Sequence, residues 1–109
     1  MAEHLLFLTG HLAYESLQRE LNGLQSRQFS YHVHDIGVKV AALMTVSMIR
    51  RRLTDTMSAD RIIVPGLCSG RIDELSEHFG IPVEKGPVDL KDLAEYFATQ
   101  GRKVDLNQH

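Results

Sequence analysis

RIIVPGLCSGR, residues 61–71, places a fully apolar run directly ahead of a short turn holding two glycines, a lone cysteine, a serine and an arginine. An amphipathic run, IDELSEHFG (72–80), follows it. A short apolar run of this kind reads as a strand buried on both faces. Ile72, Leu75 and Phe79 form the stripe of a short helix, which Gly80 and Pro82 end. The stretch is therefore a strand, a corner and a helix.

The rest of the chain alternates in the same way. HLLFLT (4–9) is a second continuous apolar run, ending at Thr9-Gly10. Behind it Ala13, Leu17, Leu21 and Leu24 recur at helical spacing. In FSYHVHDIG (29–37), Phe29, Tyr31 and Val33 point one way and Ser30, His32 and His34 the other, as in a half-exposed strand. VKVAALMTVSMIRRRL (38–53) is expected to form one helix. PVEKGP is a short strand or extended segment, and DLKDLAEYFATQG a last helix with Asp89 as its N-cap and Gly101 as its stop.

The order is βαβαβαβα, which implies a parallel sheet with helices on both faces. The two fully apolar strands belong in the centre; the alternating second strand and the short fourth belong at the edges. Right-handed crossovers then favour the order 2-1-3-4, an α/β three-layer sandwich of Rossmann-like or flavodoxin-like type. The first and last helices would cover one face and the middle two the other. The connections leave the first and third strands in opposite directions, so a crevice is expected between their C-terminal ends, where open α/β sheets bind ligands. Its walls would be Thr9, Gly10 and His11 on one side and Pro65 to Arg71 on the other.

Composition bounds the function. The chain of 109 residues suits one domain with a single core, and 43% apolar content is ordinary for a globular protein. A net charge of -2 argues against nucleic-acid binding. The basic run Arg50 to Arg52 reads as a solvated helix end or as a phosphate patch. One cysteine excludes an internal disulfide and a cysteine-rich zinc site, and fits a reducing compartment. The N-terminal apolar run is too short for a signal peptide or a membrane span, so the cytoplasm is the expected location, with no membrane partner.

The turn at Gly66, Cys68, Ser69, Gly70 and Arg71 offers backbone N–H groups, a hydroxyl, a helix start and a guanidinium. Together with Thr9, Gly10 and His11 these form a candidate site for a small anion, a phosphate or carboxylate. The pattern is neither GxGxxG nor a Walker loop, and the competing reading is a corner that needs flexible glycines. Cys68 is a thiolate candidate or a small buried hydrophobe. His32 and His34 share a face, as two metal ligands could, but no third ligand is evident. No metal, no cofactor and no catalytic residue is therefore assigned. His11, Cys68 and Asp35 are the only set that could supply a nucleophile, a base and an orienting group. Lys39, Lys85 and Asp89 line the crevice or are solvated. The segment 38–53 carries more apolar residues than one sheet face covers, so a homodimer or a docked domain is expected on it.

LFLTGHLA (6–13), VAALMT (40–45), VPGLCSG (64–70), IPVEKGPVDLKDLAEYF (81–97) and VDLNQH (104–109) together resemble the uncharacterised N-terminal domain of dihydropteroate-synthase-like proteins. In those proteins a pterin-binding barrel follows, and they occur in organisms that make tetrahydromethanopterin. The matching positions are Thr9, Gly10, Pro65, Gly66, Cys68, Gly70, Gly86, Pro87 and Asp89; Arg71 stands where such proteins often carry an acidic residue. The resemblance implies an accessory domain over residues 1–101, with 102–109 leading toward a barrel and none of the barrel's catalytic residues in this chain. The expected function is a non-catalytic accessory module with an anion-binding crevice or an assembly role. The alternative is a small enzyme or nucleotide-binding domain acting at the same crevice.

Overall fold

Leu5, Leu6, Phe7 and Leu8 are all 2% exposed or less, as a strand covered on both faces requires. They form the middle of β1 (Glu3–Thr9) in a computed structural model that describes residues 3–24 and 29–97. The chain continues through α1 (Tyr14–Asn22), β2 (Phe29–Asp35), a 3-10 turn (Ala41–Leu43), α2 (Val46–Arg52), β3 (Arg61–Val64), α3 (Ile72–Phe79) and β4 (Val83–Lys85). A second 3-10 turn (Leu90–Asp92) runs directly into a short helix, α4, over residues 93–97. The four strands form one parallel sheet in the order β2-β1-β3-β4.

Alternation along the central strands sorts the core into two layers. Leu6, Leu8, Ile62 and Val64 face Ile49 of α2 and Leu75 of α3. Leu5, Phe7 and Ile63 face Leu17 and Leu21 of α1 and Leu93 of α4. Phe29, Tyr31 and Val33 pack on the second layer, leaving Ser30 and His32 exposed on the other side of the edge strand. Crossover geometry explains the asymmetry: α2 leaves β2 to reach β3, so among the described residues no helix covers the outer strip of β2 on that side. Beneath the sheet Arg61 donates to Glu3 (3.0 Å) and Glu84 (2.7 Å), and the Tyr96 hydroxyl donates to Glu84 (2.8 Å), tying α4 to the strands.

The helix expected over 38–53 is not continuous. Val40 and Met44 are both extended, and only the turn Ala41–Leu43 and α2 are helical. The break has two causes. The Thr45 hydroxyl accepts the Met48 N–H (3.1 Å), an N-cap bond that starts a new helix. Residues 44–46 also pair laterally with the turn after β3: Ser69 N–H donates to the Met44 carbonyl (3.1 Å) and Val46 N–H to the Ser69 carbonyl (2.9 Å). The extended backbone lets Val38, Met44, Val46 and Ile49 all reach the core from one side. The apolar surplus that called for a partner is thus mostly buried within the domain; Val40, Ala42 and Leu43 remain exposed. Arg52 donates to the carbonyls of Ile36 (3.3 Å) and Gly37 (3.0 Å), while Arg50 and Arg51 are exposed.

The other boundaries follow local chemistry. Gly80 is left-handed (φ 75°) and closes α3, its N–H donating to Ser76. Asp89 caps the start of the last helical segment, accepting from Lys91 N–H (3.0 Å). Leu24 lies beyond α1 but still packs on its layer. Gly101 and the segment 102–109 lie outside the described residues. Among the described residues no helix is long and apolar enough to cross a membrane.

Candidate functional site at the C-terminal end of the sheet

Four loops leave the C-terminal ends of the strands, and close backbone contacts lock them together. After β1, His11 N–H donates to the Val38 carbonyl (2.7 Å) and Leu12 N–H to the Lys39 carbonyl (3.0 Å). Gly10 permits that contact, since a Cβ there would lie 3.0 Å from the Val38 oxygen. On the other side Gly66 lies against the loop after β4, where a Cβ would come within 2.8 Å of the Gly86 carbonyl oxygen.

Between these pairs of loops is the crevice that the strand order predicts. Phe7, Thr9, Ala41, Pro65, Pro87 and Val88 are among its walls. It holds about 90 Å³ and is mainly apolar. Ligand pockets for cofactor-sized molecules run to about 300–1,000 Å³. The crevice is well below that range.

The proposed anion-site residues divide between three places. Thr9 is buried and lines the crevice, its hydroxyl donating to the Gly10 carbonyl (3.3 Å). Gly10 and Gly66 stand at the crevice margins. Cys68, Ser69, Gly70 and Arg71 turn away toward residues 44–46. Cys68 N–H donates to the Pro65 carbonyl (3.0 Å) and Ser69 N–H to Met44, so two of the backbone donors are engaged within the protein. Gly70 has φ 113° and packs on Val46. Arg71 is exposed and pairs with Asp73 (3.0 Å). The Cys68 side chain belongs to the α2–α3 core layer and is 1% exposed. Burial pushes its thiol pKa up, and Lys85 only partly opposes this, so the group is set against thiolate chemistry.

His11 lines a different depression, an open groove of about 570 Å³ bordered by Tyr14, Glu15, Val33, His34 and Asp35. The His11 Nδ1 atom lies 3.3 Å from Asp35 Oδ2, and Asp35 Oδ1 accepts from Gly37 N–H (2.9 Å). The backbone bond fixes the carboxylate, which in turn orients the imidazole. Of the three residues that could have formed a catalytic set, the fold brings His11 and Asp35 together and leaves Cys68 in the core. The groove offers imidazoles and carboxylates that can carry protons, but among the described residues its lining includes no thiol and no serine or threonine hydroxyl. Among the described residues no group of three or more histidine, cysteine or acidic side chains could hold a metal ion.

One feature of this end escapes a reading of motifs. Among the described residues five large apolar side chains are exposed: Leu12, Val40, Leu43, Leu67 and Val88. Leu12 follows β1, Val40 and Leu43 follow β2, Leu67 follows β3 and Val88 follows β4. All five therefore stand at the same end of the sheet, around the crevice. The signal was present in the sequence, since Leu12, Leu67 and Val88 each sit one or two residues past a loop glycine or proline. Only the strand order brings those separate positions to one end of the sheet.

Residues 3–88 match a family of unknown function, DUF6513. That span covers the sheet, α1 to α3 and every loop of the site up to Val88. No curated protein and no solved structure matches the chain.

Proposed function

We propose that this chain, which belongs to the DUF6513 family of unknown function, is a non-catalytic accessory domain that docks through the C-terminal end of its sheet. The partner is a pterin-binding barrel of the dihydropteroate synthase type. The observation that carries the docking role is that, among the described residues, all five exposed large apolar side chains lie on the loops of that one end. Contiguous exposed apolar surface is uncommon on monomers and marks contacts. The engaged backbone donors of the turn 66–71, the small crevice and the buried thiol favour docking over anion capture or catalysis. The choice of partner rests on the sequence resemblance and on nothing else.

Leu43→Lys tests the docking role. The side chain is 58% exposed, so the fold should lose no more than about 0.5 kcal/mol. Binding to a separately expressed barrel, taken from a protein that carries such a domain ahead of it, should weaken at least about tenfold, the effect of one buried apolar anchor becoming a desolvated charge. Unchanged binding by the variant, or no binding by the wild type, refutes the reading. Mass that rises with concentration in light scattering, and that Leu43→Lys abolishes, identifies a second copy of the chain as the occupant instead.

A second reading, a small nucleotide- or phosphate-ligand domain, draws on the His11 groove, which is large enough for a ligand. Titration with phosphate, pyrophosphate and a pterin, followed by amide chemical shifts, decides it. Shifts clustered at residues 9–11 and 33–35, or at 65–71, support ligand binding at this end. Their absence leaves docking as the role of the surface.

A further inference from the structure

The opposite end of the sheet holds a pair of histidines that neither docking nor the groove uses. His4 on β1 and His32 on β2 lie on the same sheet face, diagonal to one another because His4 pairs with Ser30 in the parallel register. His32 Nδ1 is 2.8 Å from His4 Nε2, and the ring planes are inclined by 77°. His4 Nδ1 is 2.7 Å from the Ser30 hydroxyl. The strand end is anchored as well: His4 N–H donates to Asp60 Oδ2 (2.8 Å) and Asp60 N–H to the His4 carbonyl (2.7 Å). His32 is exposed, so the pair is open to solvent.

We propose that His4 and His32 form a two-histidine site for a borderline divalent transition-metal ion, zinc, nickel or copper(II), completed by water. Three observations support it. First, two imidazole nitrogens bound to one such ion at about 2.0–2.1 Å, in neighbouring coordination positions, lie about 2.9–3.4 Å apart. The observed 2.8 Å needs a few tenths of an ångström of opening, together with a tilt of each ring by about 35–45° so that the two lone pairs meet on the ion rather than along the N···N line. Second, a ligating histidine commonly donates its other ring N–H to a fixed oxygen. The Ser30 hydroxyl can accept from His4 Nδ1, which leaves the His4 Nε2 lone pair for the metal. Third, the only proton the ion must displace is the one shared between the two rings. His32 changes tautomer, moving its proton to Nε2, and both facing nitrogens then present lone pairs. Imidazole donors select zinc, nickel and copper over magnesium or calcium, which prefer oxygen.

The test uses the untagged chain, titrated separately with zinc chloride, nickel chloride and magnesium chloride while the imidazole resonances are followed. The expected result is that His4 and His32 shift with zinc and broaden with nickel before the other four histidines respond, and that magnesium moves none. His32→Gln, at an exposed position, should keep its melting temperature and bind zinc at least tenfold more weakly. His34→Gln, on the same strand face, should bind like the wild type. Zinc should raise the melting temperature of the wild type and not that of His32→Gln. Equal response of all six histidines, or zinc binding that survives His32→Gln, overturns the site and leaves the pair as a hydrogen bond between strands.

Discussion

Met44→Lys is expected to lower the melting temperature by roughly 15 °C or more, and Leu43→Lys, one residue earlier, by no more than a few degrees. Met44 is 0% exposed, inside the layer formed by Leu6, Ile49 and Leu75. Truncating a core methionine costs about 2–5 kcal/mol. An ammonium in that place must also lose its water or its proton, which adds a further penalty. A total of at least about 4 kcal/mol is a large part of the 5–15 kcal/mol that holds a domain of this size. Each kcal/mol corresponds to about 4–8 °C for a domain of 60–100 residues. The neighbouring pair discriminates between structures for this segment. In one unbroken helix over 38–53, Met44 and Met48 would share a face and their lysine variants would behave alike. The break at Met44-Thr45 places Met44 in the core, Met48 half-buried at the edge of that layer and Leu43 outside. Thermal melts of the three lysine variants should therefore fall in the order Met44, Met48, Leu43, the first losing most. Equal losses at Met44 and Met48 would restore the continuous helix.

Gly70→Ala should cost about 2–6 kcal/mol. The residue has φ 113°, where L side chains are strained by about 1–3 kcal/mol. Its Cβ would lie 2.8 Å from Val46 Cγ2 and 2.9 Å from Val46 Cβ, a clash of the kind that costs about 1–3 kcal/mol more when overpacking is forced. Gly80 is the control. It also has a positive φ, but nothing lies within 4 Å of the added carbon, so Gly80→Ala should lose only about 1–2 kcal/mol. In a Val46→Ala background the clash with Cγ2 should fall away, while the close contact with Cβ and the backbone strain stay. A double-mutant cycle by urea unfolding should show a coupling of about 1 kcal/mol or more between the two sites. Additive losses would mean that the corner after β3 does not press on α2. The contact matters beyond stability, since Ser69, next to Gly70, pairs with Met44 and Val46 and so holds the loop that carries Leu43.

The sheet was legible in the sequence because burial writes itself directly into strand patterns. Continuous apolar runs at 5–8 and 62–64 mark central strands, and the alternation from Phe29 to His34 marks an edge with one packed face. The crevice followed from the strand order alone. Its chemistry did not, because the Ser69 N–H is taken by the Met44 carbonyl, a contact between segments more than twenty residues apart, and the Cys68 N–H by Pro65 within the turn. The same pairing broke the helix over 38–53, whose apolar spacing fits a helix and a looping core segment equally well. Two side-chain constellations also depended on register. Alternation within β2 puts His32 beside His34, yet the offset between β1 and β2 gives His32 the ring of His4 as its partner. His11 and Asp35 meet for the same reason, Thr9 pairing with Asp35 at the ends of the two strands.

Amide hydrogen exchange of the domain, alone and with the barrel bound, tests the docking role most directly. Protection gained at residues 10–12, 39–43, 66–67 and 87–89, with the exchange of α1 and α3 unchanged, is the result expected if the C-terminal end of the sheet is the contact surface. Protection on the outer faces of α1 or α3 instead, with those loops unaffected, would contradict it.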